Sequence, residues 1–167
     1  MQSIIAIDQS LRETGICING GIFHLLKYTT HKYNSYQALF NLKKDFSEFL
    51  DICTFTHAVL EGFSYHSVNK SFTLGGVQAI IIVCLIEKNI PFLIVTPQQL
   101  KMFIVGKDSA TKEEVMEKVN NIYSLKLKND NLSDALALYH ICRYKLEEKF
   151  ETRKQLEILN KLDFNYS

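Results

Sequence analysis

No apolar run approaches the ~18 residues that cross a bilayer. The longest, AIIIVCLI at 79–86, is short and flanked by polar residues. The opening stretch MQSIIAID has no basic segment and no small-residue cleavage site, so no signal peptide is expected. CxxC pairs are also missing: Cys17, Cys53, Cys84 and Cys142 lie far apart, each in an apolar stretch. That spacing argues against a zinc site and suits reduced, buried thiols in a cytoplasmic protein. Repeats, low-complexity segments and linkers are absent. With 167 residues, 47% of them hydrophobic, a single domain spanning 1–167 is the expectation. A surplus of either charge is lacking too. The formal net charge of +1 neither demands nor excludes nucleic acid, because lysines gathered round an acidic centre read as neutral overall.

The apolar pattern supplies the elements. Residues 2 to 8 alternate Ile4/Ala6 against Ile5/Ile7, apolar on both faces, the mark of a central strand buried on both sides. TGICING and GIFHLLKYT read as two strands joined at Asn19-Gly20-Gly21, a strong hairpin signal. Helical spacing of Leu39, Leu42, Phe46, Phe49 and Leu50 predicts a helix from Ser35, a candidate N-cap. A short strand, HAVLEGF, follows at 57–63, then a helix from about Ser71 to Lys88 and a strand at 90–96. Pro97 suits the first turn of the next helix, and Thr111 with Glu114 forms a capping box for another. An amphipathic helix begins near Asn131, and the tail after about 150 reads as a solvated helical extension. Hairpin strands followed by strands joined through helices predict an α/β fold, a five-stranded mixed sheet with helices on both faces, in the ribonuclease H-like arrangement.

Three carboxylates fall at matching positions. Asp8 ends the first strand, Glu61 ends the fourth, and Asp134 lies early in the last long helix. If those strands are parallel neighbours, their C-terminal ends share one sheet edge, where ligand sites of open α/β sheets form. Two bare carboxylates ~4 Å apart repel by roughly 4 kcal/mol at an effective dielectric near 20. Such a pair takes up a proton or a cation, and an all-oxygen set favours Mg²⁺ or Mn²⁺ over zinc. Each acid also has an ordinary reading: Asp8 as a turn-former, Glu61 as a solvated strand end, Asp134 as a helix-surface acid.

IIAIDQSLRETG resembles the opening motif Ile-Asp-x-Ser-x-x-x-Thr-Gly of the RuvC family of Holliday-junction resolvases. VLEGFSYHSVNKSFTLGGVQAI is similar to that family's second acidic motif, VTPQQLKMFIVGKDSATKEEVMEKV to its lysine-bearing segment, and SDALALYH to its closing helix. The four blocks occur in family order across residues 4 to 142. The short length and AT-rich residue bias resemble the phage-encoded branch, as in lactococcal phages.

The resemblance implies a homodimer that binds four-way DNA junctions, each subunit nicking one of two symmetric strands. It implies two Mg²⁺ per site, with Mn²⁺ able to substitute, and neither a small-molecule cofactor nor a membrane partner. Carried over by position, Asp8, Glu61 and Asp134 become metal ligands. The family's fourth acidic position is Asn131 here, a departure that removes a charge but leaves a carbonyl oxygen; the adjacent Asp130 is a weaker candidate. Lys112 would hold the scissile phosphate, and Lys101 and Lys107 would contact the backbone. Phe63 and Tyr65 flank Ser64, the position of the family's stacking aromatic, and Asn69 follows in the same loop. The long helix at 71–88 is apolar nearly all round, as a dimer interface requires, although a sheet-packing helix in a monomer reads the same way. The competing reading is a junction-binding dimer whose cleavage is impaired or absent because of Asn131. An actin-like kinase fold also opens strand–Asp–turn–Gly, but it needs a second domain for which 167 residues leave no room.

Overall fold

The computed structural model describes residues 2–10, 13–27, 35–62 and 71–165. Its sheet comprises β1 (Ile4–Asp8), β2 (Glu13–Ile18), β3 (Ile22–Lys27), β4 (His57–Glu61) and β5 (Phe92–Val95), in the order β3-β2-β1-β4-β5. The first three strands form an antiparallel meander, and β1, β4 and β5 run parallel. At the hairpin tip, Asn19 (φ 50°) and Gly20 (φ 72°) both take left-handed backbone, and Gly21 N–H donates to the Ile18 carbonyl. The Asn19 side chain accepts from Ile4 N–H at 2.8 Å, tying the tip to the start of β1.

Strand alternation sends successive side chains into two different cores. Ile5, Ile7, Ile16, Ile18, Ala58 and Leu60 face one way and meet α1 (Ser35–Ile52) and α2 (Ser71–Glu87). Ile4, Ala6, Cys17, Val59, Leu93 and Val95 face the other way, toward α3 (Pro97–Ile104), α4 (Lys112–Tyr123), α5 (Asp130–Leu146) and α6 (Arg153–Leu159). Helices therefore cover both faces of a mixed sheet, the expected architecture. The α5 helix is the innermost, with every residue from Ser133 to Cys142 buried.

Helix ends follow the local chemistry. Thr96 and Thr111 both cap through complete capping boxes, with Gln99 and Glu114 as the reciprocal partners. The first of these boxes shortens the strand expected at 90–96 to Phe92–Val95, because Thr96 is already the N-cap of α3. Ser35 opens α1, although its side chain lies outside the described set.

One expectation is corrected here. The tail after 150 is not a solvated extension. Ile158, Leu159 and Leu162 are buried in the α5-side core, and Gln155 donates to the Phe103 carbonyl at 3.2 Å. The chain then returns to the sheet, where Phe92 and Asn165 exchange backbone hydrogen bonds of 3.2 and 2.9 Å. The sequence hides this because the apolar positions of the tail are few and interspersed with charge. Within the single chain, α2 is covered by the core on one side, which leaves both readings of its apolar surface open. Val77, Ile81, Cys84 and Leu85 are buried against the core, whereas Val83 and Ile86 are exposed.

Candidate active site

The same alternation that builds two cores fixes the acids. On β1, Ile4 and Ala6 face α5, so Asp8, two residues further on, faces α5 as well. On β4, Val59 faces α5, so Glu61 does too. Register then makes them neighbours: Ile7 pairs with Leu60, which brings the residues that follow side by side at the C-terminal end of two parallel strands. Across β1 on the other side, Asp8 pairs with Gly15. A Cβ at Gly15 would lie 2.3 Å from the Asn131 carbonyl oxygen, so only glycine lets the start of α5 settle here. That close approach delivers Asp134, one turn further along α5, above the two strand carboxylates.

Burial and proximity perturb all three groups. Asp8 is 4% exposed and Asp134 8% exposed. Burial, then the charges of Glu61 and Asp134, hold the Asp8 carboxyl well above the usual carboxylate range. Burial also raises Glu61, partly offset by its hydrogen-bond contact with Asp8 and by the Lys112 and Lys101 charges. Asp134 is pushed up to about 7 by burial and by the Glu61 charge, with Lys112 acting against the shift. At neutral pH the cluster therefore retains protons unless a cation takes their place.

Gln9 completes the floor. Its side-chain amide donates to the Glu61 carbonyl, locking the ends of β1 and β4 together. Its Oε1 is buried and has no hydrogen-bond partner among the described residues. An oxygen-only donor set, a buried carbonyl without a partner and mutually repelling carboxyls suit a hard divalent cation such as Mg²⁺ or Mn²⁺. Among the described residues, however, no three His, Cys, Asp or Glu side chains are gathered closely enough to form a ready-made cage. The arrangement is a contacting pair, Asp8 and Glu61, with Asp134 coupled to both through charge.

The basic residues divide. Lys112, at the first turn of α4, bonds Asp130 Oδ2 at 2.7 Å and stands 4.0 Å from Asp134 Oδ2. Partial burial opposes its charge, but Asp130, Asp134 and Asp8 together hold its pKa above the ordinary lysine value. Lys101 on α3 is close enough to lower the pKa of both Glu61 and Asp134. Lys107 instead pairs with Glu114 of the α4 capping box. Asp130 is the first residue of α5 and half-exposed, and its carboxylate is engaged by Lys112; the N-cap is Asn129, which accepts from Leu132 N–H. The Asn131 side chain turns to β2, where it donates to the Glu13 carbonyl oxygen at 3.3 Å and to Glu13 Oε1 at 3.4 Å. Phe63, Tyr65 and Asn69 lie outside the described residues.

Sequence reasoning passed over Gln9, Glu13 and Asn129. Gln9 had a signal, since a polar residue directly after a strand-ending acid shares its edge. Glu13 and Asn129 had none, because their meeting depends on how α5 lies across β2.

This fold and centre define a ribonuclease H-like α/β domain with acidic side chains grouped at the C-terminal edge of its two middle parallel strands. The family model described as crossover junction endodeoxyribonuclease RuvC matches residues 4–143. The chain belongs to the RuvC family. A relative of that name from Hydrogenovibrio crunogenus is 28% identical over 146 residues, covering 82% of this chain and 84% of its own length. The Thermus thermophilus RuvC structure superposes with a TM-score of 0.72 at 20% identity, covering 88% of this chain and 97% of that one. The T. thermophilus RuvC in complex with Holliday junction substrate gives 0.71 at 21% identity, with 83% and 90% covered.

Proposed function

We propose that this chain is a divalent-metal-dependent endonuclease that cuts Holliday junctions and related branched DNA as a homodimer. The observation that carries the reading is the buried contact between the Asp8 and Glu61 carboxyls beneath Asp134, an arrangement whose protons a cation would displace. Asp8, Glu61 and Asp134 would hold the metal, Mg²⁺ with Mn²⁺ as a substitute and two ions per site, with the Gln9 side-chain carbonyl oxygen as a further oxygen donor; Asn131, whose side chain turns to Glu13, is left out of the set. Such ions supply an activated water, neutralise the phosphate and stabilise the leaving oxygen.

The remaining work falls to the chain itself. Lys112 exchanges its partner Asp130 for the scissile phosphate and keeps the cluster's excess negative charge from repelling the DNA. Lys101 adds positive potential over Glu61 and Asp134. Lys107, from its place beside α4, contacts the sugar–phosphate backbone, and Phe63, Tyr65 and Asn69 contact the DNA, the two aromatics as candidates to stack on opened bases. The products are a 5′-phosphate and a 3′-hydroxyl. The second subunit packs on α2, where Val83 and Ile86 are exposed and a Cβ at Gly75 would meet open space. All four cysteines are free, in keeping with action in the cytoplasm of a bacterial host; no helix among the described residues is long and apolar enough to cross a membrane.

One observation favours a second reading, junction binding with impaired cleavage: the Asn131 side chain donates to Glu13. Nicking of a synthetic four-way junction and of its linear arms in Mg²⁺ decides between them. The main reading expects nicks in the junction that Asp8→Asn abolishes. Tight junction binding without nicks supports the second reading, and equal affinity for junction and linear duplex sinks both.

A further inference from the structure

We propose that Glu13 is a positioning residue, its carboxylate clasped by Asn129 and Asn131 so that α5 docks on β2 with Asp134 over Asp8. Asn131 serves in this chain as the donor that closes the clasp. The contacts are specific. Asn129 Nδ2 donates to Glu13 Oε1 at 2.9 Å, and Asn131 Nδ2 donates to the same oxygen at 3.4 Å and to the Glu13 carbonyl at 3.3 Å. Asn129 works in two directions, since its Oδ1 caps α5 through Leu132 N–H at 3.0 Å. Glu13 is itself held by Ser10, whose Oγ accepts from Glu13 N–H at 3.1 Å and donates to the Glu13 carbonyl. Glu13 and Gly15 share the α5 face of β2 by alternation, and the Asn131 backbone rests directly on Gly15. The clasp and the glycine seat thus fix one point on α5, and Asp134 follows at a rigid helical offset.

The chemistry of position 131 follows from its partners. Both groups facing its side-chain nitrogen are acceptors, the Glu13 carbonyl and carboxylate. An amide satisfies them. An aspartate has no proton to offer at neutral pH and would set a second carboxylate against Glu13. The change Asn131→Asp therefore loosens α5 here instead of restoring a missing ligand. Pairing it with Glu13→Gln removes the opposed carboxylate charge but re-forms the clasp only in part, because Asn129 Nδ2 donates to the same Glu13 oxygen and the Glu13 carbonyl still faces position 131.

The docking half of this inference stands without any metal, and the metal half rests on the reading proposed above, so two measurements are needed. Hydrogen exchange of the α5 amides at Leu132–Ala135, in metal-free protein, reads docking. Loss of charge-assisted bonds in Glu13→Ala should speed exchange about tenfold or more. Asn131→Asp should do the same or more, and Glu13→Gln/Asn131→Asp should recover only the part of the loss that comes from two opposed carboxylates. Asn129→Ser keeps the helix cap but removes the amide donor, so it separates clasp from cap and covers the case in which Glu13→Ala does not fold. Mn²⁺ titration of the same proteins reads positioning, with affinity lost and regained in step with exchange. Unchanged exchange in Glu13→Ala and Asn129→Ser overturns the clasp. Tighter Mn²⁺ binding by Asn131→Asp, with Glu13→Ala neutral, overturns it as well and makes position 131 a ligand. Exchange that behaves as expected in a parent protein that binds no Mn²⁺ upholds the clasp and removes the metal reading.

Discussion

Replacing Asp134 by Asn should stabilise the metal-free protein at pH 8, although it removes a proposed ligand. Asp134 keeps its proton up to about pH 7 in the folded state and near 3.8 when exposed. Between those values the folded state binds more protons than the unfolded one, so stability is lost as pH rises through that window and the full cost is in force at pH 8. The shift of about three pH units corresponds to at most about 4 kcal/mol at 1.36 kcal/mol per unit. A chain of this size gains about 2–4 °C in Tm per kcal/mol, so the neutral variant should melt on the order of 10 °C higher. Thermal scans in EDTA at pH 8 and pH 4 measure this, and the gain should vanish at pH 4, where the parent carboxyl is protonated. Adding Mg²⁺ at pH 8 should raise the parent's Tm more than the variant's, because only the intact cluster converts binding into stability. A variant no more stable than the parent in EDTA at pH 8 would show that Asp134 is not strained by burial and by Glu61, and the electrostatic case for a cation site would go with it.

Gly15→Ala should cost at least 2–3 kcal/mol, read as a shifted urea midpoint, because its Cβ would collide with the backbone of Asn131 at 2.3 Å. Val83→Lys with Ile86→Lys should leave the melting temperature within a few degrees and convert the proposed dimer to a monomer in sedimentation; an unchanged sedimentation coefficient would refute packing on α2. Removing residues 151–167 strips Ile158, Leu159 and Leu162 from the core, a loss of roughly 5 kcal/mol or more by burial, measurable as a collapse of the unfolding midpoint.

The fold was legible where a single local rule decided it. Two-sided apolar character marked β1, Asn19-Gly20 marked the hairpin, and Thr111 with Glu114 marked α4. The convergence of Asp8 and Glu61 was legible because parity along a strand and parallel pairing leave little freedom. Features that depend on how one element lies over another were not. The Glu13 clasp joins residues more than a hundred positions apart, and no pattern within either segment announces it. The tail was misread for a related reason: its apolar residues lack a clean helical stripe, yet they fill a gap beside α3 and α5 that only the assembled core creates. Gly15 fell between the two cases. Its place in the opening motif was visible, but the reason for it, contact with the Asn131 backbone, is tertiary.

The bridge between Asn165 and Phe92 gives the segment after α6 an influence beyond packing. β5 is the outermost strand on its side, and its free main-chain groups invite strand addition by another molecule. Asn165 occupies that rim at Phe92 and holds it with two backbone bonds. Releasing Asn165 from Phe92 would therefore uncover a sticky border on β5 and favour self-association.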